Sequence, residues 1–195
     1  MEDGNLSIIG LAGSLRRASF HRGLIRAAQE LAPGGVTVEP YEHLEEIPFF
    51  NQDIEDQGDP APVKRFKEKI RQADAILIAT PEYDYAIPGV LTTALDWELR
   101  PPSPFRHKPV GIVGTSPGGV GTARGQMVLQ ILLHPPAYLM PEPQMLIPYA
   151  LERFDTQSGD LVGERRRERM QRFLDALAEW TERFKMSVTA YEKSK

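Results

Sequence analysis

The residues best equipped for chemistry fall in three short, loop-like stretches. The first is Gly13-Ser14-Leu15-Arg16-Arg17-Ala18-Ser19, where an apolar run gives way to a helical pattern. A helix N-terminus exposes unpaired N–H groups and the positive end of its dipole. Amides, hydroxyls and a guanidinium gathered there all favour a dianion such as phosphate. The stretch is not a Walker loop, which needs Gly-Lys before its Ser/Thr. Gly10 and Gly13 also lack the G-x-G-x-x-G spacing. On this loop alone a second reading stays open, with Ser19 a plain N-cap and the arginines surface charge.

The second stretch, Pro81-Glu82-Tyr83-Asp84-Tyr85-Ala86-Ile87-Pro88-Gly89, is stiffened by two prolines. Its two tyrosines and Ile87 offer flat apolar surface against which a planar heterocycle could lie. The third, Gly114-Thr115-Ser116-Pro117-Gly118-Gly119-Val120-Gly121, has glycines that let backbone approach a ligand closely. Formally it contains G-x-S-x-G, so a serine hydrolase must be weighed. Pro117 follows the candidate nucleophile and has no N–H for an oxyanion hole. His134 is the only histidine after Ser116, and no Asp or Glu lies between them. The hydrolase order of Ser, acid, His therefore fails. His21, His43, His107 and His134 are scattered without metal-ligand spacing, and no metal is expected.

These loops need elements to hold them. Leu6–Ala12 reads as a buried strand, Ser19–Leu31 as a helix and Val36–Val38 as a second strand. Residues 48–62 show no periodicity and are expected to be a surface loop. Val63–Gln72 reads as a helix and Ala75–Thr80 as the third strand. A helix with Pro88 in its first turn follows, then a strand over Pro109–Gly114 and a helix over Thr122–Leu133. Met145–Tyr149 reads as the fifth strand and Glu164–Met186 as a closing helix. In that helix Met170, Phe173, Leu174, Leu177, Trp180 and Phe184 form a core-facing stripe. Alternating strands and helices predict an α/β fold: a doubly wound, five-stranded parallel sheet in the order 2-1-3-4-5, with helices on both faces. Ligands of such sheets sit at the carboxyl ends of the strands, where all three loops fall.

The whole chain, 1–195, is expected to form one domain, with 1–5 and 187–195 flexible. The net charge of −4, from 23 basic and 27 acidic residues, argues against nucleic acid as the main partner. With no cysteine, disulfides, thiolate metal sites and a cysteine nucleophile are excluded. The N-terminus carries no signal-peptide pattern, and no apolar run approaches the roughly 20 residues of a membrane span. A cytoplasmic protein is the expectation.

The segments GSLRRASFHRGLIRAA, ADAILIATPEYDYAIPGVLTTALDW and KPVGIVGTSPGGVGTARGQ resemble the NAD(P)H-dependent FMN reductases. These are flavodoxin-like proteins that include bacterial quinone, chromate and azo-dye reductases. The likeness runs from about Leu6 to Tyr149, and PEYxYxIPGxLxxALDW is its most specific stretch. The resemblance implies FMN as cofactor and NAD(P)H as co-substrate. It implies that Ser14, Arg16 and Ser19 hold the FMN phosphate, with the Phe20 and His21 backbone helping. Pro81, Glu82, Tyr83, Asp84 and Tyr85 would line the isoalloxazine ring. Ser116, Gly118 and Gly119 would approach its pyrimidine side. His21 and Asp84 stand where the family usually has Asn, and Asp84 would lower the flavin potential if its charge faces the ring.

No protein acid or base is strictly required by such a mechanism, since the flavin does the chemistry. The resemblance also implies a homodimer or homotetramer, and Leu91, Ala94, Leu95 and Trp97 make the helix after Pro88 the expected interface. Two other readings compete: a flavodoxin-type electron carrier without nucleotide oxidase activity, and an interaction module that keeps only the fold. Arg16, Arg17 and the modest net charge favour the reductase.

Overall fold

The computed structural model describes residues 5–193, and side chains as far as Lys185. Of the stretches expected to be flexible, 1–4 and 194–195 lie outside the described residues, whereas the backbone of 187–193 continues the closing helix. In chain order the elements are β1 (Leu6–Ala12), α1 (Phe20–Leu31), β2 (Val36–Tyr41), α2 (Gln52–Glu55) and α3 (Ala61–Gln72). Next come β3 (Ala75–Thr80), α4 (Gly89–Glu98), β4 (Pro109–Thr115) and α5 (Ala123–Leu133). The series closes with β5 (Tyr138–Leu139), β6 (Met145–Ile147) and α6 (Glu164–Lys193). All pairings are parallel, in the order β2-β1-β3-β4-β5, with β6 also against β4.

Period-two alternation divides the core into two layers. Ile9, Leu11, Ile76, Ile78, Val110 and Ile112 face α3, α4 and α5, meeting Phe66, Ile70, Leu95, Trp97 and Leu129. Ile8, Ala75, Leu77, Ala79 and Val113 face the other way, onto Leu24, Ile25 and Ala28 of α1 and Phe173, Leu174 and Leu177 of α6. Because α1 leaves β1 toward one face and α4 leaves β3 toward the other, the chain diverges between those two strand ends. That divergence is what opens the sheet edge to a ligand.

Several boundaries differ from the sequence reading. β2 runs to Tyr41 rather than stopping at Val38, held in parallel register beside β1 as far as Leu11. The stretch 48–62 is not all loop: Asn51 caps the short α2 by accepting from the Asp53 amide, and α3 starts at Ala61. Pro88 is the N-cap of α4, not part of its first turn. The fifth lane of the sheet is two short strands, because Pro141 and Pro143 between them have no N–H for a ladder. β6 ends at Ile147, since Tyr149 turns left-handed at φ 53°. α6 continues past Met186 to Lys193. Trp180 lies on it half-buried, its indole N–H donating to the Tyr138 carbonyl at 3.0 Å.

The apolar residues expected to carry an interface on α4 are core residues instead. Leu91, Ala94, Leu95 and Trp97 are all buried within the chain's own core, and Trp97 donates to the Pro48 carbonyl at 2.7 Å. The 43–50 segment covers the side of α4 that a helix lying on one sheet would leave bare, since Leu44 and Ile47 join the same core and the Phe50 ring meets Trp97 at 5.0 Å.

One core residue breaks the apolar pattern. Glu98, the last residue of α4, is fully buried, and neither carboxyl oxygen has a hydrogen-bond partner. Burial pushes its pKa up to about 8, against the pull of Lys67. The unfolded chain releases this proton near pH 4.5, the folded chain only near 8. Glu98 therefore lends stability below pH 4.5 that drains away as pH rises to 8. Glu98→Gln should remove that slope and raise the unfolding free energy at pH 9, read from urea melts, by on the order of a few kcal/mol. Equal stability of variant and wild type at pH 9 would contradict the raised pKa of Glu98.

Candidate functional site

The first loop leaves β1 alongside β3, where the Gly13 amide donates to the Ala79 carbonyl at 2.8 Å. Ser19, in extended backbone, caps α1: its Oγ accepts from the amides of His21 (3.1 Å) and Arg22 (3.3 Å). With the Oγ accepting, its O–H proton remains free to be donated. Among the described residues no chain acceptor takes the amide N–H of Leu15, Arg16 or Arg17. Ser14 and Ser19 are buried, whereas Arg16 is exposed. The Arg16 guanidinium donates to the Ala18 carbonyl at 2.7 Å and lies 4.9 Å over the Phe20 ring.

His21 turns away from this loop. Its ring is buried, and Nε2 stands 3.1 Å from the Thr115 carbonyl at the end of β4. Burial lowers its pKa to about 4, and the nearby Arg16 charge adds to the effect. The ring is neutral at pH 7, and because a carbonyl only accepts, the proton sits on Nε2. The His21 amide is committed to Ser19, which leaves Phe20 as the backbone donor of this pair facing the loop.

The second loop is a tight hairpin. Tyr83 and Ala86 exchange backbone hydrogen bonds of 3.0 and 2.9 Å, with Asp84 at φ 48° and Tyr85 at φ 67° between them. Two consecutive left-handed residues are the backbone of a type I′ turn, which Asn-Gly favours and Tyr strains. Asp84 suits the turn nearly as well as Asn, because its short side chain tolerates that region. Tyr83, Asp84 and Tyr85 are exposed. Glu82 is not: its side chain is only 7% exposed and brackets the N-terminus of α5. It accepts from the amides of Arg124 (2.9 Å) and Gly125 (3.0 Å) and from Arg124 Nε (2.7 Å). Arg124 also stacks 4.2 Å over the Tyr85 ring.

In the third loop the Ser116 hydroxyl donates to the Gly121 carbonyl, and no hydrogen bond joins it to a histidine. A hydrolase nucleophile has no support here. A Cβ on Gly114 would stand 2.0 Å from Thr122 Oγ1 and 2.6 Å from the Thr80 carbonyl, so β4 closes on this corner only through glycine. The Gly118 carbonyl accepts from the Tyr149 amide at 3.1 Å. A Cβ on Gly119 would meet the Tyr149 hydroxyl at 2.8 Å.

The expected site residues thus lie on three loops along the carboxyl edge of the sheet, except Phe20 and His21 in the first turn of α1, and the side chains of His21 and Glu82 serve the scaffold. Two residues of this edge escaped the sequence reading. Tyr149 sat inside an apparent strand, with no local signal of its left-handed turn. Arg124 carried one: a cation in the first turn of a helix opposes the dipole and asks for an anionic neighbour.

A parallel sheet ordered 2-1-3-4-5, with an anion-suited loop at its switch point, defines a flavodoxin-like α/β protein. The family described as NADPH-dependent FMN reductase matches residues 6–152. The chain is 40% identical over 183 residues to an NAD(P)H-dependent FMN reductase of Pseudomonas aeruginosa, covering 93% of this chain and 98% of that protein. It is 35% identical over 184 residues to a quinone reductase of Escherichia coli, with coverage of 93% and 98%. A solved structure, the flavoenzyme NAD(P)H:(acceptor) oxidoreductase FerB from Paracoccus denitrificans, superposes with a TM-score of 0.81 at 32% identity. It covers 92% of this chain and 98% of that one. The chain belongs to the NADPH-dependent FMN reductase family, and FMN is its cofactor.

The donor set fits that cofactor. A run of unpaired amides, a free Ser19 proton and the Arg16 guanidinium answer a phosphate dianion at the start of α1. When bound, FMN supplies the hydride and electron chemistry. The protein binds and orients it and leaves the tyrosine-bearing edge accessible. Arg16→Ala should weaken FMN binding roughly 10- to 150-fold, the worth of one charge-assisted contact. Arg17→Ala should cost far less, and fluorescence titration of the apoprotein would read both. Unchanged affinity in Arg16→Ala would remove Arg16 from the phosphate site.

Proposed function

We propose that this protein oxidises NADPH or NADH through bound FMN and passes the electrons to quinones or similar acceptors, chromate and azo dyes included. The observation that carries the reading is the cradle of unpaired amides, hydroxyl and guanidinium before α1, beside an open turn bearing Tyr83 and Tyr85. In this reading Ser14, Arg16, Ser19 and the Phe20 amide hold the phosphate. Pro81 to Tyr85 border the flavin ring, and Ser116, Gly118 and Gly119 approach its pyrimidine edge. Glu82 acts indirectly, by fixing the turn to α5.

The exposed turn leaves one ring face open to nucleotide and acceptor in succession. The nucleotide must leave before the acceptor can occupy the same face, which is a ping-pong scheme. Steady-state oxidation of NADPH at several fixed quinone concentrations should give parallel double-reciprocal lines. Intersecting lines would require a ternary complex, and no oxidation of either nucleotide would favour the carrier reading. Asp84→Asn should keep the parallel pattern and raise the flavin potential modestly, because a nearby negative charge is lost.

The protein works as a homodimer or homotetramer in this reading, joined through α5 rather than α4. Met127 and Ile131, one turn apart on α5, are 59% and 67% exposed, and Leu132 adds to the patch. Light scattering at micromolar concentration should give a dimer or tetramer mass, and Ile131→Glu should lower it. A monomer mass for the wild type would refute the assembly.

A further inference from the structure

Tyr149 adjoins the third loop in a backbone conformation that tyrosine disfavours. Its φ of 53° and ψ of 53° are left-handed, which costs a residue of this kind about 1–2 kcal/mol. Such strain persists where the surroundings over-determine it, and it gathers at functional sites. Three backbone hydrogen bonds lace residues 147–150 to the third loop. The Ser116 amide donates to the Ile147 carbonyl at 3.3 Å, Tyr149 to Gly118 at 3.1 Å and Ala150 to Ser116 at 3.0 Å. These bonds need only a left-handed residue at 149, which Asn or Gly would supply with little strain. What tyrosine adds is its ring. The three atoms nearest to a Cβ built on Gly119 all belong to that ring or its hydroxyl, the hydroxyl oxygen at 2.8 Å. Among the described residues no chain acceptor takes the amide N–H of Gly118 or Gly119. The same segment runs on to Phe154, whose ring stacks on Phe20 at 4.9 Å, and Arg16 lies over that Phe20 ring. It thus touches both the third loop and the helix start that follows the first.

We infer that Tyr149 is a positioning residue: its ring fixes the Gly118-Gly119 backbone so that the two free amides serve the pyrimidine edge of bound FMN. The inference rests on the reductase reading above, in which the third loop approaches that edge. Gly119 is glycine for the complementary reason. Its φ is not positive, so its backbone would accept alanine, and the group that a Cβ would displace is the Tyr149 ring. Amides fixed before a ligand arrives donate without a reorganisation cost. The pyrimidine edge of a flavin gains negative charge on reduction, so donors held there favour the reduced form and keep the potential up. A slack third loop would forfeit part of both effects, weakening FMN binding and lowering its potential. Tyr149 does this through the loop and need not touch the flavin itself.

The test compares wild type with Tyr149→Asn, Tyr149→Phe, Gly119→Ala and the Gly119→Ala/Tyr149→Asn double variant. Three quantities are read: urea stability of the apoprotein, FMN affinity by fluorescence titration, and the midpoint potential of the bound flavin. Tyr149→Asn relieves the backbone strain, so its apoprotein should be at least as stable as wild type. It should nonetheless bind FMN roughly 5- to 30-fold more weakly, the worth of one or two neutral hydrogen bonds, and at a lower potential. Tyr149→Phe keeps the ring and should stay close to wild type in all three. Gly119→Ala should weaken FMN by displacing the ring, and this cost should vanish once Tyr149 is already Asn. Unchanged affinity and potential in Tyr149→Asn would overturn the inference. So would an affinity loss that merely follows lost apoprotein stability, since that is a structural role. Strict additivity in the double variant, or Tyr149→Phe as impaired as Tyr149→Asn, would overturn it too. Wild type that binds no FMN would defeat the reductase reading and this inference with it, an outcome visible before any variant is compared.

Discussion

One buried hydrogen bond ties the anion-suited loop to the far side of the sheet edge. His21, in the first turn of α1, meets the Thr115 carbonyl at the end of β4, 94 residues away in sequence. Its desolvated ring is neutral, so the positive charge at this corner stays with Arg16, where an anion can reach it. The bond anchors the first turn of α1. Ser19 caps the same turn, its hydroxyl accepting from the His21 and Arg22 amides. Loop, helix dipole and third loop are thus coupled through a single imidazole.

The second loop is held on a different principle. Asp84 and Tyr85 occupy left-handed backbone, which Asp tolerates but which costs a residue such as Tyr85 about 1–2 kcal/mol. The surroundings repay that strain locally. Glu82 accepts three N–H groups from the start of α5, and Arg124 bridges from Glu82 to the face of the Tyr85 ring. Strain of this kind persists only where neighbours over-determine it, and it gathers at ligand sites. Here it keeps two tyrosines presented at the edge rather than folded onto the core.

The fold was legible because its signals are local and repeated. Alternation in Ile8-Ile9 and Ala75–Thr80, helical stripes in α1 and α6, and the turn-rich stretches between them suffice to place four strands and the sheet order. Tyr138–Leu139 was not legible, since two residues carry no period and the prolines around them read as loop. The three site loops were legible as types and spacing. The direction of individual side chains was not: His21 looks like a phosphate donor until its distant partner is known, and Glu82 looks like a ring contact until α5 is docked. The apolar residues of α4 misled for the same reason. Leu44, Ile47 and Phe50 cover Trp97 from a segment without periodicity, so a helix that looked two-faced is simply enclosed.

The central claim is that this edge holds one FMN and lets nucleotide reach it. It is tested most directly by anaerobic titration of the purified, FMN-loaded protein with NADPH, followed in visible absorbance. The account predicts that the oxidised flavin band bleaches fully at one NADPH per bound FMN, and returns when a quinone is added. Protein that retains no FMN, or bound FMN that NADPH leaves unbleached, would contradict it.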